Sequence, residues 1–108
     1  MSVYEFKLST SSQGLYEITA NVRDAIARSG VEEGMAVVFC PHTTGAVTIN
    51  ENADSDVVRD LLLGLDAAFP DRAAFLHGEG NSADHLKSSC VGATEPNIVT
   101  GGRPPLGT

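Results

Sequence analysis

Between Asp54 and Pro70 the chain reads DSDVVRDLLLGLDAAFP, and Val58, Leu61, Leu62, Leu65 and Phe69 recur at helical spacing along one stripe. Acidic residues stand in the first turn, where the helix dipole favours them, and Pro70 follows the last. A stripe this apolar must be covered by another element, so the helix implies a partner in the same chain.

The partners are legible on both sides. Residues 3 to 9 alternate, with Tyr4, Phe6 and Leu8 on one face, and predict a half-buried first strand. SSQGLYEITANVRDAIARSG spaces Leu15, Ile18, Val22, Ala25 and Ile26 for a helix that ends at Gly30. GMAVVFC is a continuous apolar run of the kind a strand covered on both faces shows, and Pro41 ends it. AVTIN predicts another short strand. A short helix capped by Asn81 or Ser82 follows a Gly-rich turn, and TEPNIVTGGRPPLGT predicts a last strand and a turn. The expected class is α/β (α+β), one domain over residues 1–108, with helices packed on a mixed sheet.

Composition narrows the partners. Fourteen acidic against seven basic side chains give a net charge of −7, a field that repels nucleic acid and anionic membrane surfaces and suits a cation or a small metal-bridged anion. The N-terminus lacks the basic and apolar regions of a signal peptide, and no apolar run reaches the length of a membrane span, so a cytoplasmic protein is expected. Cys40 and Cys90 have neither metal-site nor redox-motif spacing and read as plain, partly buried thiols.

Chemistry gathers around three histidines. His42, His77 and His85 each lie in a polar stretch outside the apolar stripes, and three imidazoles with an open position suit a divalent metal such as zinc or magnesium. In HGEGNSADH, glycines on both sides of Glu79, Gly78 and Gly80, let backbone approach a ligand, and Asn81 precedes a helix whose N-terminus favours an anion. Thr43 and Thr44 beside His42 offer hydroxyls to phosphate oxygens. Asn50, Glu51 and Asn52 follow a strand, where loops carry function, and Glu51 is a candidate general base or metal carboxylate. The chain contains no Walker loop, dinucleotide fingerprint, nucleophile elbow or paired CxxC.

Taken together, PHTTGAVTINENAD, RDLL and HGEGNSADHLKSS closely resemble the YjbQ family, small proteins described as secondary thiamine-phosphate synthases. The resemblance implies a compact α/β fold and a homotrimer with the polar residues near subunit interfaces. It points to His42, Thr43, Thr44, Asn50, Glu51, Asn52, His77, Glu79, Asn81 and His85, with Asp56 and Asp60 in second place. The activity it implies joins an aminopyrimidine diphosphate to a thiazole phosphate and releases pyrophosphate. His42, His77 and His85 would hold the metal or bond phosphate, Thr43, Thr44 and Asn81 would supply donors, and Glu51 or Glu79 would handle protons. A metal-dependent hydrolase of a phosphorylated metabolite, or a non-catalytic metal- or anion-binding trimer, would use the same residues. Family members continue past LGT into further strands, so Pro104-Pro105 and an end at Thr108 predict an open sheet edge.

Overall fold

A computed structural model describes residues 1–105; 106–108, where the open-edge expectation partly falls, lie outside the described residues. The elements in order are α1 (Thr19–Ser29), β1 (Glu33–Phe39), α2 (Ser55–Ala68), α3 (Ser82–Val91) and β2 (Thr94–Thr100). β1 and β2 pair antiparallel in a two-stranded sheet, so the chain is α+β. The ladder is flanked by a bond from the Gly102 N–H to the Glu32 carbonyl at 3.0 Å and one from the Cys40 N–H to the Ala93 carbonyl at 2.8 Å. The chain gathers into two compact units, one of Met1–Val37 with the chain from Pro96 onward, the other of Val38–Glu95.

In the first unit Ile26, Asn97, Val99 and Pro104 are buried. α1 ends as its glycine dictates: Gly30 takes φ +74°, and its N–H donates to the Ala27 carbonyl. The helix starts at Thr19 rather than near Leu15, and Ile18 at its N-cap makes no side-chain capping bond. Arg28 leans over the Tyr4 ring, 5.1 Å from its centroid, and faces Asp24 at 3.8 Å. After β2, Gly101 and Gly102 both take positive φ, and the chain turns back so that Thr100 and Arg103 form a bridge.

In the second unit α2 follows its stripe closely. Val58, Leu61, Leu62, Leu65 and Phe69 are half-buried, whereas Arg59, Asp60, Leu63 and Asp66 are exposed. Asp54 caps the helix, its Oδ1 accepting from the Asp56 N–H at 2.8 Å. α3 buries Ala83 and Ser88 and begins after Asn81, as its sequence predicts.

Three strand expectations need correction. Residues 3–9 and 46–50 form no strand among the described residues. Alternating polarity permits an extended segment, but a strand also needs a ladder partner for its N–H and C=O groups. AVTIN retains one bond of that kind, from the Val47 N–H to the Gly92 carbonyl at 3.0 Å. Nor is the GMAVVFC run covered on both faces: Ala36 and Val38 are half-buried, while Met35, Val37 and Phe39 are about 60% exposed. A two-stranded ribbon has one covered face at most here, so its other face keeps its apolar residues in solvent.

Candidate functional site

The residues singled out by sequence lie in the second unit, on three segments. The first is the turn after β1. The Gly45 N–H donates to the His42 carbonyl at 3.3 Å, which closes the corner and leaves His42, Thr43 and Thr44 exposed. A side chain at position 45 would force its neighbours to shift, because a Cβ there would stand 2.8 Å from Cys40 Sγ and 3.3 Å from His42 Cβ. The Gly45 carbonyl in turn accepts a bond from the Ser88 hydroxyl of α3.

That bond orders the site. Ser88 and His85 are three residues apart on α3 and therefore share a helix face, so tying Gly45 to Ser88 anchors the His42 turn beside the face that carries His85. Ser88 is 8% exposed and was not among the residues the sequence pointed to. Its signal was present in the HLKSS run, but a serine within a helix reads equally as a surface residue.

The second segment is HGEGNSADH. The Gly80 N–H donates to the His77 carbonyl at 3.0 Å, and Gly80 takes φ +72°, the left-handed conformation that reverses the chain into α3. The Asn81 carbonyl then accepts from the N–H groups of Asp84, at 3.1 Å, and His85, at 3.3 Å, opening the helix. The result is a hairpin-like corner that returns His85 to His77. Their rings meet edge to face, with centroids 5.3 Å apart and planes at 79°. His77 and Glu79 are exposed, and His85 and Asn81 are half-buried.

Asn81 departs from its expected capping role. It occupies the N-cap position, yet its side chain makes no capping bond, and its Oδ1 is buried with no hydrogen-bond partner.

The third segment, Asn50 to Asn52, precedes α2. The Asn50 Oδ1 accepts from the Glu51 N–H at 2.7 Å, leaving Asn50 and Asn52 exposed and Glu51 half-buried. Asp56 and Asp60 are exposed on α2, where Arg59 reaches Asp60 at 3.3 Å. Lys87, a basic side chain near the motifs, is 13% exposed and bonded to Asp66. Its charge is thus compensated within the unit.

The structure therefore brings His77 and His85 together and ties the His42 turn to the same helix, without joining all three rings. Among the described residues no three His, Cys, Asp or Glu side chains are grouped as a metal ion would need. Among these residues the donor set is a two-histidine corner rather than a three-ligand metal centre. Cys40 and Cys90 are free thiols, with Cys90 exposed rather than partly buried. No helix among the described residues is long and apolar enough to cross a membrane.

Comparison with known proteins gives the class to which a chain with this corner belongs. The family model described as UPF0047 protein YjbQ-like matches residues 4–108, and the chain belongs to that family. It is 44% identical over 101 residues to the UPF0047 protein YugU of Bacillus subtilis, a match spanning 93% of this chain and 76% of that protein. A UPF0047 protein of Methanocaldococcus jannaschii is 41% identical over 107 residues, spanning 98% and 78%. Among solved structures, a YjbQ/UPF0047 family protein of Clostridium acetobutylicum superposes with a TM-score of 0.92 at 50% identity, covering 98% of this chain and 83% of that one. A conserved hypothetical protein of Thermus thermophilus gives 0.89 at 36% identity, covering 97% and 82%.

Proposed function

We propose that the corner of His77 and His85, with the adjoining turn of His42, Thr43 and Thr44, binds a small phosphorylated metabolite. We take the reaction to be thiamine-phosphate synthesis of the kind the family resemblance implies. The observation that carries this reading is the 5.3 Å approach of the two imidazoles at the start of α3. Two rings so placed present ring N–H donors to one anionic group and add positive charge when protonated, in a chain otherwise poor in cations.

In the proposed reaction the thiazole nitrogen attacks the methylene carbon of the aminopyrimidine diphosphate. A C–N bond forms, the C–O bond to the diphosphate breaks, and its electron pair leaves with pyrophosphate. What a protein supplies to such a step is positioning and donors for the departing charge. His77 and His85 would face the leaving diphosphate. Thr43 and Thr44 would donate hydroxyls, Asn50 and Asn52 amides, and Glu51 or Glu79 would handle protons.

A second reading is a non-catalytic binding protein, and the exposure of His42, Thr43, Thr44, His77 and Glu79 favours it, since catalysis of charge separation gains from exclusion of water. We also propose assembly as a homotrimer in the cytoplasm; the exposed apolar side chains Met35, Val37 and Ile98 support burial against another copy, and sedimentation of the purified chain reads its mass.

Purified protein given both phosphorylated precursors and magnesium should form thiamine phosphate, and His85→Ala should reduce the rate at least tenfold. Product no higher than in a protein-free control would refute the synthase reading. Stabilisation of the protein by pyrophosphate without turnover would select the binding reading.

A further inference from the structure

Little of α3 is held by apolar packing. Among its ten residues only Ala83 and Ser88 are buried, one contributing a methyl group and the other a hydroxyl, while its larger apolar side chains, Leu86 and Val91, are exposed. A helix without a covered apolar stripe has no hydrophobic seam to fix its rotation about its own axis, so directional side-chain bonds must do so. Two such bonds leave its flank. The Ser88 hydroxyl donates to the Gly45 carbonyl of the His42 turn, and the Lys87 ammonium donates to Asp66 Oδ1 on α2.

Consecutive residues stand roughly 100° apart around a helix, so the two bonds pull in different directions and together define one rotation of α3. That rotation sets where His85 points. His85 shares the face of Ser88, three positions on, and lies roughly 160° around the axis from Lys87. Turning α3 toward or away from α2 therefore carries the His85 ring along an arc relative to His77, whose ring centroid lies 5.3 Å away. The Lys87–Asp66 pair is also lopsided. The lysine side chain is 13% exposed, although lysine is rarely covered without a partner, and the aspartate is 56% exposed. A pair so open at one end adds little to stability, but the covered stem holds the ammonium in one place.

We propose that Lys87, through its bond to Asp66, is a positioning residue: it sets the rotation of α3 that holds His85 against His77, and it makes no bond of its own to the ligand. The role rests on the reading of the two-histidine corner as the ligand site. Because the ammonium lies on the far flank of the helix from His85 and is bonded to Asp66, its effect on an anion is made through the imidazoles. This differs from a simple supply of positive charge. Were charge the contribution, removing Asp66 would free a cation and tighten anion binding, whereas removing Lys87 would weaken it. For positioning, the loss of either partner has the same sign.

The test compares Lys87→Met, Asp66→Ala, the double variant and Asp66→Asn by the NMR shifts of the His77 and His85 ring protons and by the affinity for inorganic pyrophosphate in titration calorimetry. Lys87→Met keeps the apolar stem, and Asp66→Asn keeps an acceptor for the ammonium. Either single loss should move the His85 ring signals and weaken pyrophosphate binding about threefold to tenfold, with the double variant no worse than either and Asp66→Asn restoring most of both readouts. Ring signals that stay in place in Lys87→Met, tighter binding in Asp66→Ala, or additive losses in the double variant would each overturn the role. A fall in Tm with unmoved ring signals would do the same, since it leaves the pair a structural contact only. Absence of pyrophosphate binding by the unsubstituted chain refutes the ligand reading and not the positioning of His85, which the ring signals then decide alone. Thiamine-phosphate formation judges the synthase separately.

Discussion

Removing the Ser88 hydroxyl is the most direct way to ask whether the His42 turn is held by α3. Ser88 is 8% exposed, and its hydroxyl donates to the Gly45 carbonyl, across 43 positions of sequence. Ser88→Ala deletes the donor and leaves the half-buried Gly45 carbonyl without that partner. A net hydrogen bond contributes about 0.5–1.5 kcal/mol and an abandoned buried acceptor costs about 1–3 kcal/mol, so about 1–2 kcal/mol is expected for a site that water can partly reach. For 108 residues the unfolding entropy is about 0.23 kcal/mol/K, which converts this loss into a fall in Tm of roughly 4–9 °C. Differential scanning calorimetry measures it, with Ser89→Ala, an exposed neighbour on the same helix, as the reference. Amide signals of residues 42–45 should broaden or shift in Ser88→Ala and stay in place in Ser89→Ala. A Tm equal to that of the reference, with the turn's signals unmoved, would refute the anchoring.

Two further perturbations examine the elements that position the site. Gly80→Ala places a side chain at φ +72°, with open space around it, so backbone strain alone should cost about 1 kcal/mol by urea denaturation, and the ring-current shifts between His77 and His85 should weaken; unchanged stability and shifts would show that the turn does not depend on the left-handed residue. Asp54→Ala removes the bond to the Asp56 N–H and should cost about 1 kcal/mol, while Asp54→Asn should recover most of it; equal losses in both would assign the effect to charge rather than to the cap.

Much of the architecture could be read from local pattern. α2 shows why: its apolar stripe, acidic first turn and following proline all act within a few residues, and the structure covers the side of the helix that the stripe marks. The start of α3 was equally legible, since Gly80 and Asn81 have few roles outside a turn and a cap. Residues 3–9 were not. Their alternation describes a surface that fits a sheet, but whether a ladder forms depends on a partner far away in sequence, which periodicity does not encode. The same limit misled the reading of GMAVVFC, where an apolar run was compatible with two covered faces and the paired strands have one.

For the candidate site the division follows the range of the interactions. The sequence by itself determined the cast: His42, His77 and His85, the threonines, Asn50 to Asn52 and the Gly-rich corner are chemistry-bearing residues in segments that no apolar stripe claims, and their motif carries the family. Only the tertiary structure decided which of them meet. His77 and His85 converge because the turn between them closes through Gly80 and Asn81. The His42 turn joins the same helix through Ser88, a bond across 43 residues that no local rule anticipates. The role of Asn81 changed for a related reason. Its side-chain type announced a cap, but the Asn81 carbonyl takes the N–H groups of Asp84 and His85, and the buried side-chain oxygen makes no capping bond.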